Sequence, residues 1–494
     1  MDALCRRLSD RHTVVGRILA RCGRVEEAEV SDRGAFTVEV ISSPTHSRYP
    51  PHFPLHFLRF AVSQHPQSTH DYLSCCLRKD PGSDNDHVTL WSFFTFLVTT
   101  QKSAHLPTEI LLIIAKILWH DEMYAPGGMI LMDRQKNFHS FCLVSRQWYS
   151  VGISYLYDFP QLWQGNKFVQ FTNTVSPPLG AKKSKVDLGS LVKVLHLGYL
   201  VHQSSNSQTS RLLSRVKKGL NIFVAPQTGI GVNSLASISK CQNLMHLDLR
   251  LARGGALEFS RLKKTVSNLP GLQTLQLPSS MEITHTDNSA GVWPPKLYSV
   301  TIGGSLNPHV MSTFDWPSNI RQLILKRCKN LDTPILESLL RNEQLLEKLE
   351  TLTLDNENAT MFSDSDSEST VLYLLRNLTS LKMPLDFMEY LCILPVPDAL
   401  PPLPLRILEL THPYFDDQLP VDFSAELEKA LIQNLRNLWA LGVGETCLKY
   451  IKDAYRKIDD EIWKHVEESS DEELDKLAIE DLGIYTIDDD LTVQ

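Results

Sequence analysis

The chain has 494 residues, of which 43% are hydrophobic and 21% charged, and its formal net charge is −8. This length predicts more than one domain, and the composition is that of a globular protein, not of a disordered chain. Residues 453–490 contain about fifteen acidic and four basic residues, a net charge of about −11, so the remainder is near +3 (−8 + 11) and has no basic excess for binding nucleic acid.

Residues 1–103 show no periodic set of helices or strands. The segment from Val38 to Pro54 is rich in serine, proline and histidine, which is typical of loops. Three interpretations remain open: a small irregular domain, a poorly ordered extension, or extra sequence translated from a mistaken gene model. We favour a weakly ordered extension for this region.

The next segment, from Leu106 to about Asp158, has the pattern of a small helical domain. The apolar stripe of its first predicted helix consists of Ile110, Leu111, Ile114, Ile117 and Leu118. The apolar residues assigned to a second helix are Phe138, Phe141, Cys142, Val144 and Trp148. A third short helix carries Val151, Tyr155, Leu156 and Tyr157. Three short helices bury little surface by themselves, so they must pack on the rest of the chain or be covered by another protein.

This helical segment resembles an F-box, and its end is similar to that of fungal F-box proteins. The residues that carry the resemblance are Leu106, Pro107, Glu109, Ile110, Leu111, Ile114, Leu118, Leu143, Val144, Ser145, Arg146, Trp148, Tyr155, Leu156 and Tyr157. The resemblance implies an F-box over residues 104–165 that binds a Skp-type adaptor and, through it, a cullin. One departure is the segment from His120 to Lys136, which is longer than the usual link between the first two helices.

The resemblance also implies which residues contact the adaptor or shape the contact. These are Leu106, Pro107, Glu109, Ile110, Leu111, Ile114, Leu143, Val144 and Trp148. Packing within the three helices is an equally good interpretation for Ile114, Cys142 and Val144.

A leucine pattern repeats from about residue 188 to residue 448. Its strand-like cores are 195–197, 247–249, 275–277, 300–302, 323–325, 352–354, 381–383, 408–410 and 441–443. Several cores are preceded three residues earlier by another leucine: Leu244, Leu272, Leu297, Leu349 and Leu378. Most successive cores lie roughly 23–33 residues apart, and a degenerate repeat at 222–224 would divide the one longer gap. This L-x-x-L-x-L pattern is typical of leucine-rich repeats.

The repeats predict an α/β fold in which the three-helix F-box is followed by a curved solenoid. Parallel strands would line its concave side and helices its convex side. Helical patterns separate the strands at 257–269, 331–346, 371–378 and 423–435. A non-repetitive α/β domain is the alternative fold. We expect the acidic segment 363–369 to be a solvated loop and the proline-rich segment 395–404 to be a stiff connector.

The C-terminal region 449–494 is predicted to contain a helix and an acidic tail. A helix from Leu448 to about Val466 would cover the last repeat and keep its hydrophobic layer from water. Ser469 and Ser470 have acidic residues three positions later, as in the sites of acidophilic kinases. A tail that only increases solubility is the simpler interpretation.

In each repeat the leucines are expected to point inward and the intervening residues outward on the concave side. The outward residues are His196, Asp248, Arg250, Gln276, Thr301, Lys326, Thr353, Asp355, Lys382 and Glu409. Because both signs of charge occur among them, we expect this face to bind a protein and not a polyanion.

No catalytic or metal-binding motif accompanies these two binding surfaces. The sequence lacks a phosphate-binding G-x-x-x-x-G-K-[ST] loop, a G-x-S-x-G elbow and an H-E-x-x-H helix. Its nine cysteines include no Cys-x-x-Cys pair, so reduced and mostly buried thiols are expected. We therefore predict a non-catalytic protein without a cofactor.

The sequence contains no apolar run of the ~18–20 residues that cross a bilayer, and its first residues lack the apolar core of a signal peptide. We therefore expect an intracellular protein, in the cytoplasm, the nucleus or both, that does not bind membranes. The favoured hypothesis is the substrate receptor of a cullin–RING ubiquitin ligase. An interaction scaffold without a role in ubiquitination is the main alternative, and an enzyme within residues 1–103 is a third.

Overall fold

The computed structural model divides the chain into two compact units, residues 1–106 and residues 107–494. The residues that it describes are 36–41, 57–62, 72–76, 78–79, 88–89, 106–120, 130–177, 186–200, 206–253, 257–283, 291–355, 358, 371–385, 403–412, 423–452, 454–469 and 482–487. The predicted loop at 363–369 and most of the predicted connector at 395–404 lie outside these residues, as does Ser470.

The described part of the first unit consists of short antiparallel strands. They are β1 (Phe36–Ile41), β2 (Phe57–Val62), β3 (Tyr72–Cys76), β4 (Arg78–Lys79) and β5 (Val88–Thr89). β1, β2 and β3 form one sheet in that order, and β4 pairs with β5. Aromatic and β-branched residues are frequent in the longer strands, which favours extended backbone. The sequence analysis did not find these strands, and its description of residues 1–103 as an extension stays a prediction.

The second unit begins with three helices. They are α1 (Thr108–His120), α2 (Ile130–Val144) and α3 (Arg146–Asp158). Ser145 lies between the end of α2 and the start of α3. Its hydroxyl caps α3 by accepting a hydrogen bond from the backbone N–H of Trp148. Trp148 therefore lies on α3 and not on the second helix as predicted. The link between the first two helices is residues 121–129, which is shorter than the segment that the sequence suggested.

A long parallel sheet follows the helices. Its strands are β6 (Val194–His196), β7 (Ile222–Val224), β8 (His246–Asp248), β9 (Thr274–Gln276), β10 (Glu282–Ile283), β11 (Ser299–Leu306), β12 (Gln322–Cys328), β13 (Thr351–Leu354), β14 (Ser380–Pro384), β15 (Ile407–Thr411), β16 (Ala440–Gly444) and β17 (Gly483–Ile487). The strands pair in chain order from β6 to β17, except that β10 pairs with one end of β11 beside this path. Every predicted core falls in or next to one of these strands, including the degenerate one at β7, so the leucine-rich-repeat solenoid is confirmed.

Helices connect the strands and precede the first one. They are α4 (Gly165–Val175), α5 (Asn206–Val216), α6 (Val232–Ile238), α7 (Phe259–Val266), α8 (Pro308–Ser312), α9 (Thr333–Leu340), α10 (Glu343–Lys348), α11 (Val371–Leu374), α12 (Phe423–Gln433), α13 (Glu445–Tyr450) and α14 (Tyr455–Glu467). A short 3₁₀ helix, Leu188–Leu191, leads into β6. The predicted helix at 331–346 is two helices, α9 and α10. Asn342 lies between them, and its side chain caps α10 by accepting a hydrogen bond from the backbone N–H of Gln344.

In β6, β8 and β9 the central leucine is buried and the residues on either side of it are half-exposed. The central residues form one continuous core from the helices to the last repeat, and Leu195, Leu275 and Leu381 in it are fully buried. Because no repeat can bury its own apolar face, stability depends on stacking between neighbours.

Asparagine side chains join successive repeats at the turn ahead of the strand. Each asparagine directly precedes the first apolar residue of its kernel, and its amide donates a hydrogen bond to a backbone carbonyl of the preceding repeat at 2.5–2.9 Å. The pairs are Asn243 with Lys218, Asn319 with Pro295, Asn377 with Glu347, and Asn437 with Leu403. We refer to these four residues as the asparagine ladder. They satisfy carbonyls that face the edge of the stack.

The C-terminal end differs from the prediction in one respect. The predicted helix is present as α13 and α14, but β17 follows it and pairs with β16 as a further parallel strand. Gly483 begins β17 with a φ of 78°, a left-handed conformation that glycine adopts without strain. The helix therefore covers the last repeat without ending the sheet.

Candidate binding surfaces

The helical domain has an aromatic core of its own. Phe138 stacks on Tyr155 with ring centroids 5.2 Å apart, and Phe141 lies 4.6 Å from the ring of Trp148. Gly152 on α3 allows this close packing, because a Cβ atom there would lie 2.7 Å from the Phe141 ring. The three helices therefore fold around a closed core, and further apolar residues on them are not needed to fill it.

Several large apolar side chains of this domain are nevertheless exposed. On α1, Leu112, Ile113 and Ile117 form an outer face opposite the buried Leu111 and Ala115. Ile113 is 55% exposed and Ile117 50%. The sequence analysis had placed Ile117 on the buried stripe, whereas the helix turns it outward.

A second exposed apolar group lies at the corner between α2 and α3. Leu143 is 72% exposed and Val144 43% exposed. A hydrogen bond of 3.3 Å from the Gln147 side chain to the Thr108 hydroxyl brings this corner next to the start of α1. We refer to the outer face of α1 and this corner together as the exposed apolar surface.

The nine residues implied for adaptor binding divide into three groups. Glu109, Leu143 and Val144 are exposed, and Leu106, Pro107, Ile110 and Ile114 are half-buried. Leu111 and Trp148 are buried, so they can shape a contact only by positioning other residues. Cys142 is also buried, and its burial raises the pKa of the thiol to about 11. Leu112, Ile113 and Ile117 were missed, because a single-sequence pattern cannot show which side of an apolar helix faces solvent.

The helical domain is joined firmly to the first repeat. The backbone N–H of Lys193 donates to the carbonyl of Asp158 at 3.0 Å, and the two side chains form an ion pair of 3.1 Å. Phe168 on α4 is fully buried in the core of the repeats. These contacts join the helical domain directly to the first repeat.

The strands align most of the predicted concave residues in one row. Pairing places His196, Val224, Asp248, Gln276, Thr301, Ile324, Thr353, Lys382, Glu409, Gly442 and Tyr485 at equivalent positions from β6 to β17. Thr301 is buried, whereas the other predicted members of the row are half-exposed. Arg250, Lys326 and Asp355 lie farther along their strands, at the carboxyl-terminal side of the row.

The six charged residues predicted for this face form three ion pairs. Arg250 contacts Asp248 at 2.9 Å, Lys326 contacts Asp355 at 2.8 Å, and Lys382 contacts Glu409 at 3.5 Å. Glu409 also accepts a 2.9 Å hydrogen bond from the hydroxyl of Tyr485, a residue that the sequence analysis did not select. Tyr485 reaches it across Gly442, where a Cβ atom would lie 2.9 Å from the tyrosine ring. The charges of the face therefore balance one another.

The histidines of the concave face are kept neutral by their surroundings. Burial lowers the pKa of His196, and this effect exceeds the opposing influence of nearby Asp248. Burial also lowers the pKa of His246, whose Nδ1 atom is 2.8 Å from the Thr274 hydroxyl. Neither residue belongs to a metal site, since the described residues contain no cluster of three or more potential ligands.

Within the same residues, every helix is too short or too polar to cross a bilayer.

Two proteins with curated descriptions are similar to the chain in sequence. F-box protein YDR306C of Saccharomyces cerevisiae is 32% identical over 203 residues, which are 41% of this chain and 40% of that protein. Protein pof5 of Schizosaccharomyces pombe is 27% identical over 225 residues, which are 45% of this chain and 60% of that protein. The chain thus matches less than two thirds of either relative. The resemblance to F-box proteins that the sequence predicted is confirmed.

Two solved structures show weaker similarity. An internalin, inlF of Listeria monocytogenes, has a TM-score of 0.30 at 14% identity, over 60% of this chain and 87% of the internalin chain. A chain of the Rad7–Elc1 complex of yeast has a TM-score of 0.22 at 13% identity, over 64% of this chain and 96% of that one. Both scores are low, and no conclusion depends on them. No protein-family model matches the chain.

Proposed function

We propose that this protein is the substrate-recognition subunit of an SCF-type cullin–RING ubiquitin ligase. The helices α1–α3 would bind a Skp-type adaptor, and the concave face of the repeats would bind a target protein. The observation that carries the proposal is the exposed apolar surface on a domain whose core is already complete. Similarity to an F-box protein of yeast supports the same assignment.

The exposed apolar surface has the chemistry that a permanent partner requires. Burying a side chain of this size is worth about 1.5–3 kcal/mol, so leaving Ile113, Ile117 and Leu143 in water forgoes a large stabilisation. Exposed apolar patches mark protein–protein contacts, and the outer face of α1 and the corner between α2 and α3 each expose at least two apolar side chains. The half-buried Pro107 and Ile110 would lie at the margin of the contact, and the buried Leu111 and Trp148 would hold its shape.

The protein itself would perform no bond-making step. Its contribution would be proximity, because it would hold the target at a fixed orientation relative to the enzyme that transfers ubiquitin. The ion pair and backbone hydrogen bond between Asp158 and Lys193 connect the helical domain to the first repeat, as this role would require. We expect the protein to act in the cytoplasm, the nucleus or both.

Co-purification of a recombinant Skp-type adaptor with the full chain tests the first half of the proposal. The wild type should retain the adaptor, and a variant with Ile113→Ala and Leu143→Ala should retain far less. Val292→Ala is a matched control, since Val292 is an aliphatic residue of the repeats that is 83% exposed. Equal retention by the double variant and the control would refute the assignment of this surface.

Measurement of protein half-lives after deletion of the gene tests the second half and separates the proposal from its alternative. If the chain recruits targets for ubiquitination, deleting its gene should lengthen the half-lives of proteins that co-purify with it. If it is an interaction scaffold only, those half-lives should not change.

A further inference from the structure

We propose that the N-terminal end of the concave face is a recognition site for an uncharged apolar or aromatic side chain of the target. The site consists of Trp163, His196 and Tyr199, and we refer to it as the aromatic site. This inference rests on the proposed function, because it specifies the kind of target segment that the repeats would bind.

The first observation is an aromatic cluster that remains open to solvent. Tyr199 follows β6 and is 60% exposed, although it has aromatic neighbours on two sides. Its ring stacks on His196 with centroids 4.9 Å apart, and the ring of Trp163 lies 5.6 Å away. Exposed aromatic residues often carry much of the binding energy at protein interfaces, because they bury a large area and lose little conformational entropy on binding.

The second observation is the close packing beside this cluster. Gly198 lies between His196 and Tyr199 in sequence, and a Cβ atom on it would meet three side chains. The distances are 3.0 Å to His196, 3.3 Å to Leu251 and 3.4 Å to Val224. A side chain at this position would push these neighbours aside, so glycine allows the turn after β6 to pack closely beside the stacked rings of His196 and Tyr199.

The third observation is the charge balance of the face on which the site lies. Asp248 and Arg250, the nearest charged residues of the row, bind each other through several contacts of 2.9–3.2 Å. A phosphorylated or acidic target that drew Arg250 away from Asp248 would leave a partly buried carboxylate without its partner. His196 is neutral at pH 7, since burial lowers its pKa. The surroundings of the aromatic site thus favour an uncharged ligand.

The position of the site fits its proposed role. Trp163 belongs to the segment between α3 and α4, whereas His196 and Tyr199 belong to the first repeat. The aromatic site is therefore assembled from both sides of the junction with the helical domain. A target anchored there would lie at the end of the solenoid nearest to the adaptor.

Arrays of short synthetic peptides test the proposal with the full-length chain. Each peptide has a neutral flank and a central Trp, Phe, Leu or Ala, and a parallel set carries glutamate or phosphoserine beside the same central residue. We expect aromatic and leucine centres to be retained about tenfold better than alanine centres, since a tenfold preference corresponds to about 1.4 kcal/mol. We expect the acidic and phosphorylated sets to bind no better than the neutral set.

Two variants test the site. Tyr199→Ala removes the exposed ring, and Trp163→Ala removes the ring that lies 5.6 Å from it. Both should lower retention of aromatic peptides about tenfold, and thermal melting should show that both remain folded. Tyr298→Ala is the matched control, because Tyr298 is an exposed tyrosine ahead of β11.

Several outcomes would overturn the inference: unchanged binding by Tyr199→Ala, equal retention of alanine-centred peptides, or retention of phosphorylated and acidic peptides alone. In the last case Arg253, which is exposed beyond β8, would be the first residue to examine. Adaptor capture is measured on the same samples. A chain that captures the adaptor without binding neutral peptides would refute the aromatic site but not the proposed function, and the reverse result would refute the adaptor contact alone.

Discussion

The helical domain and the repeat solenoid differ in which side chains they leave exposed to solvent. The three helices complete a small aromatic core and then leave isoleucine and leucine side chains in solvent. The repeats bury their kernel leucines completely and pair the charged residues of the predicted concave set with one another. The helical domain leaves apolar side chains that a partner could bury, whereas the charged residues of this concave set already have partners within the chain. The difference agrees with the proposed function, in which the helices have a permanent partner and the repeats a selective one.

The largest expected effect concerns the core of the solenoid. Leu381→Ala on β14 removes a fully buried side chain and should lower the free energy of unfolding by about 2–5 kcal/mol. Ile113→Ala on α1 should change it by less than about 0.5 kcal/mol, because Ile113 faces solvent. Urea unfolding measures both. A comparable loss in the two variants would show that the outer face of α1 is part of a core.

The next effect concerns affinity for the adaptor. Ile113→Ala combined with Leu143→Ala should weaken binding about 100-fold, since each truncation forgoes about 1.5 kcal/mol of apolar burial. Isothermal titration with the purified adaptor measures it. The Leu111→Ala variant sharpens the contrast: it should lower thermal stability together with affinity, because Leu111 is buried in the helical domain.

A smaller effect is expected at the asparagine ladder. Asn437→Asp replaces the amide that donates to the carbonyl of Leu403 at 2.9 Å with an oxygen that cannot donate, and should cost about 1 kcal/mol of stability. The control is Asn307→Asp, where the side chain accepts a hydrogen bond from His309 and the change keeps an acceptor in place. Similar losses in the two variants would mean that the added charge, and not the lost donor, is responsible.

The ion pairs of the concave face should be weakly coupled. A double-mutant cycle with Lys382→Met and Glu409→Gln should give a coupling energy of about 0.2–1 kcal/mol, because both side chains are partly exposed. Chemical denaturation of the four proteins measures it. A coupling energy of zero would mean that these charges are available to a partner, which would remove the contrast between the two surfaces.

The smallest effect is a dependence of stability on pH. Burial lowers the pKa values of His196 and His246, so the unfolded chain binds protons at a higher pH than the folded chain does. Stability is therefore complete above the ordinary histidine pKa of about 6.5 and decreases as the pH falls below it. Replacing both residues with asparagine should flatten the profile of melting temperature between neutral and mildly acidic pH. Replacement of the exposed His309 should leave the profile unchanged.

Much of the solenoid could be predicted because its signal is repetitive. A buried leucine such as Leu275 sits in the same pattern as its neighbours, so each kernel supports the others. β17 could not be predicted in this way, since Gly483–Ile487 lies alone behind an acidic segment, and the residue three positions before Ile484 is Asp481 and not leucine. The start of α2 was missed for a different reason. Arg134 is buried there over the ring of Trp119, but arginine is usually exposed, so nothing in the sequence indicated that this position belongs to a buried helix face.

The binding surfaces could be predicted only in part. Strand periodicity located the row that includes His196 and Lys382, because alternation on a strand needs no tertiary information. The meeting of Trp163 with Tyr199 depends on how α4 and the first repeat pack, and nothing local in either segment indicates it. For the helices, periodicity showed an apolar stripe but not which of its edges, such as that of Ile117, would remain in solvent.

The asparagine ladder also defines where the chain could be cut and rejoined. Each of its amides meets the same backbone carbonyl of the previous repeat, whatever the length of the loop and helix between them. Repeats of unequal length therefore form the same contact at this turn, although their loops and helices differ in length. A protein engineer who shortened or extended the solenoid by whole units would do best to place both junctions there, because the two ends would present matching partners to one another.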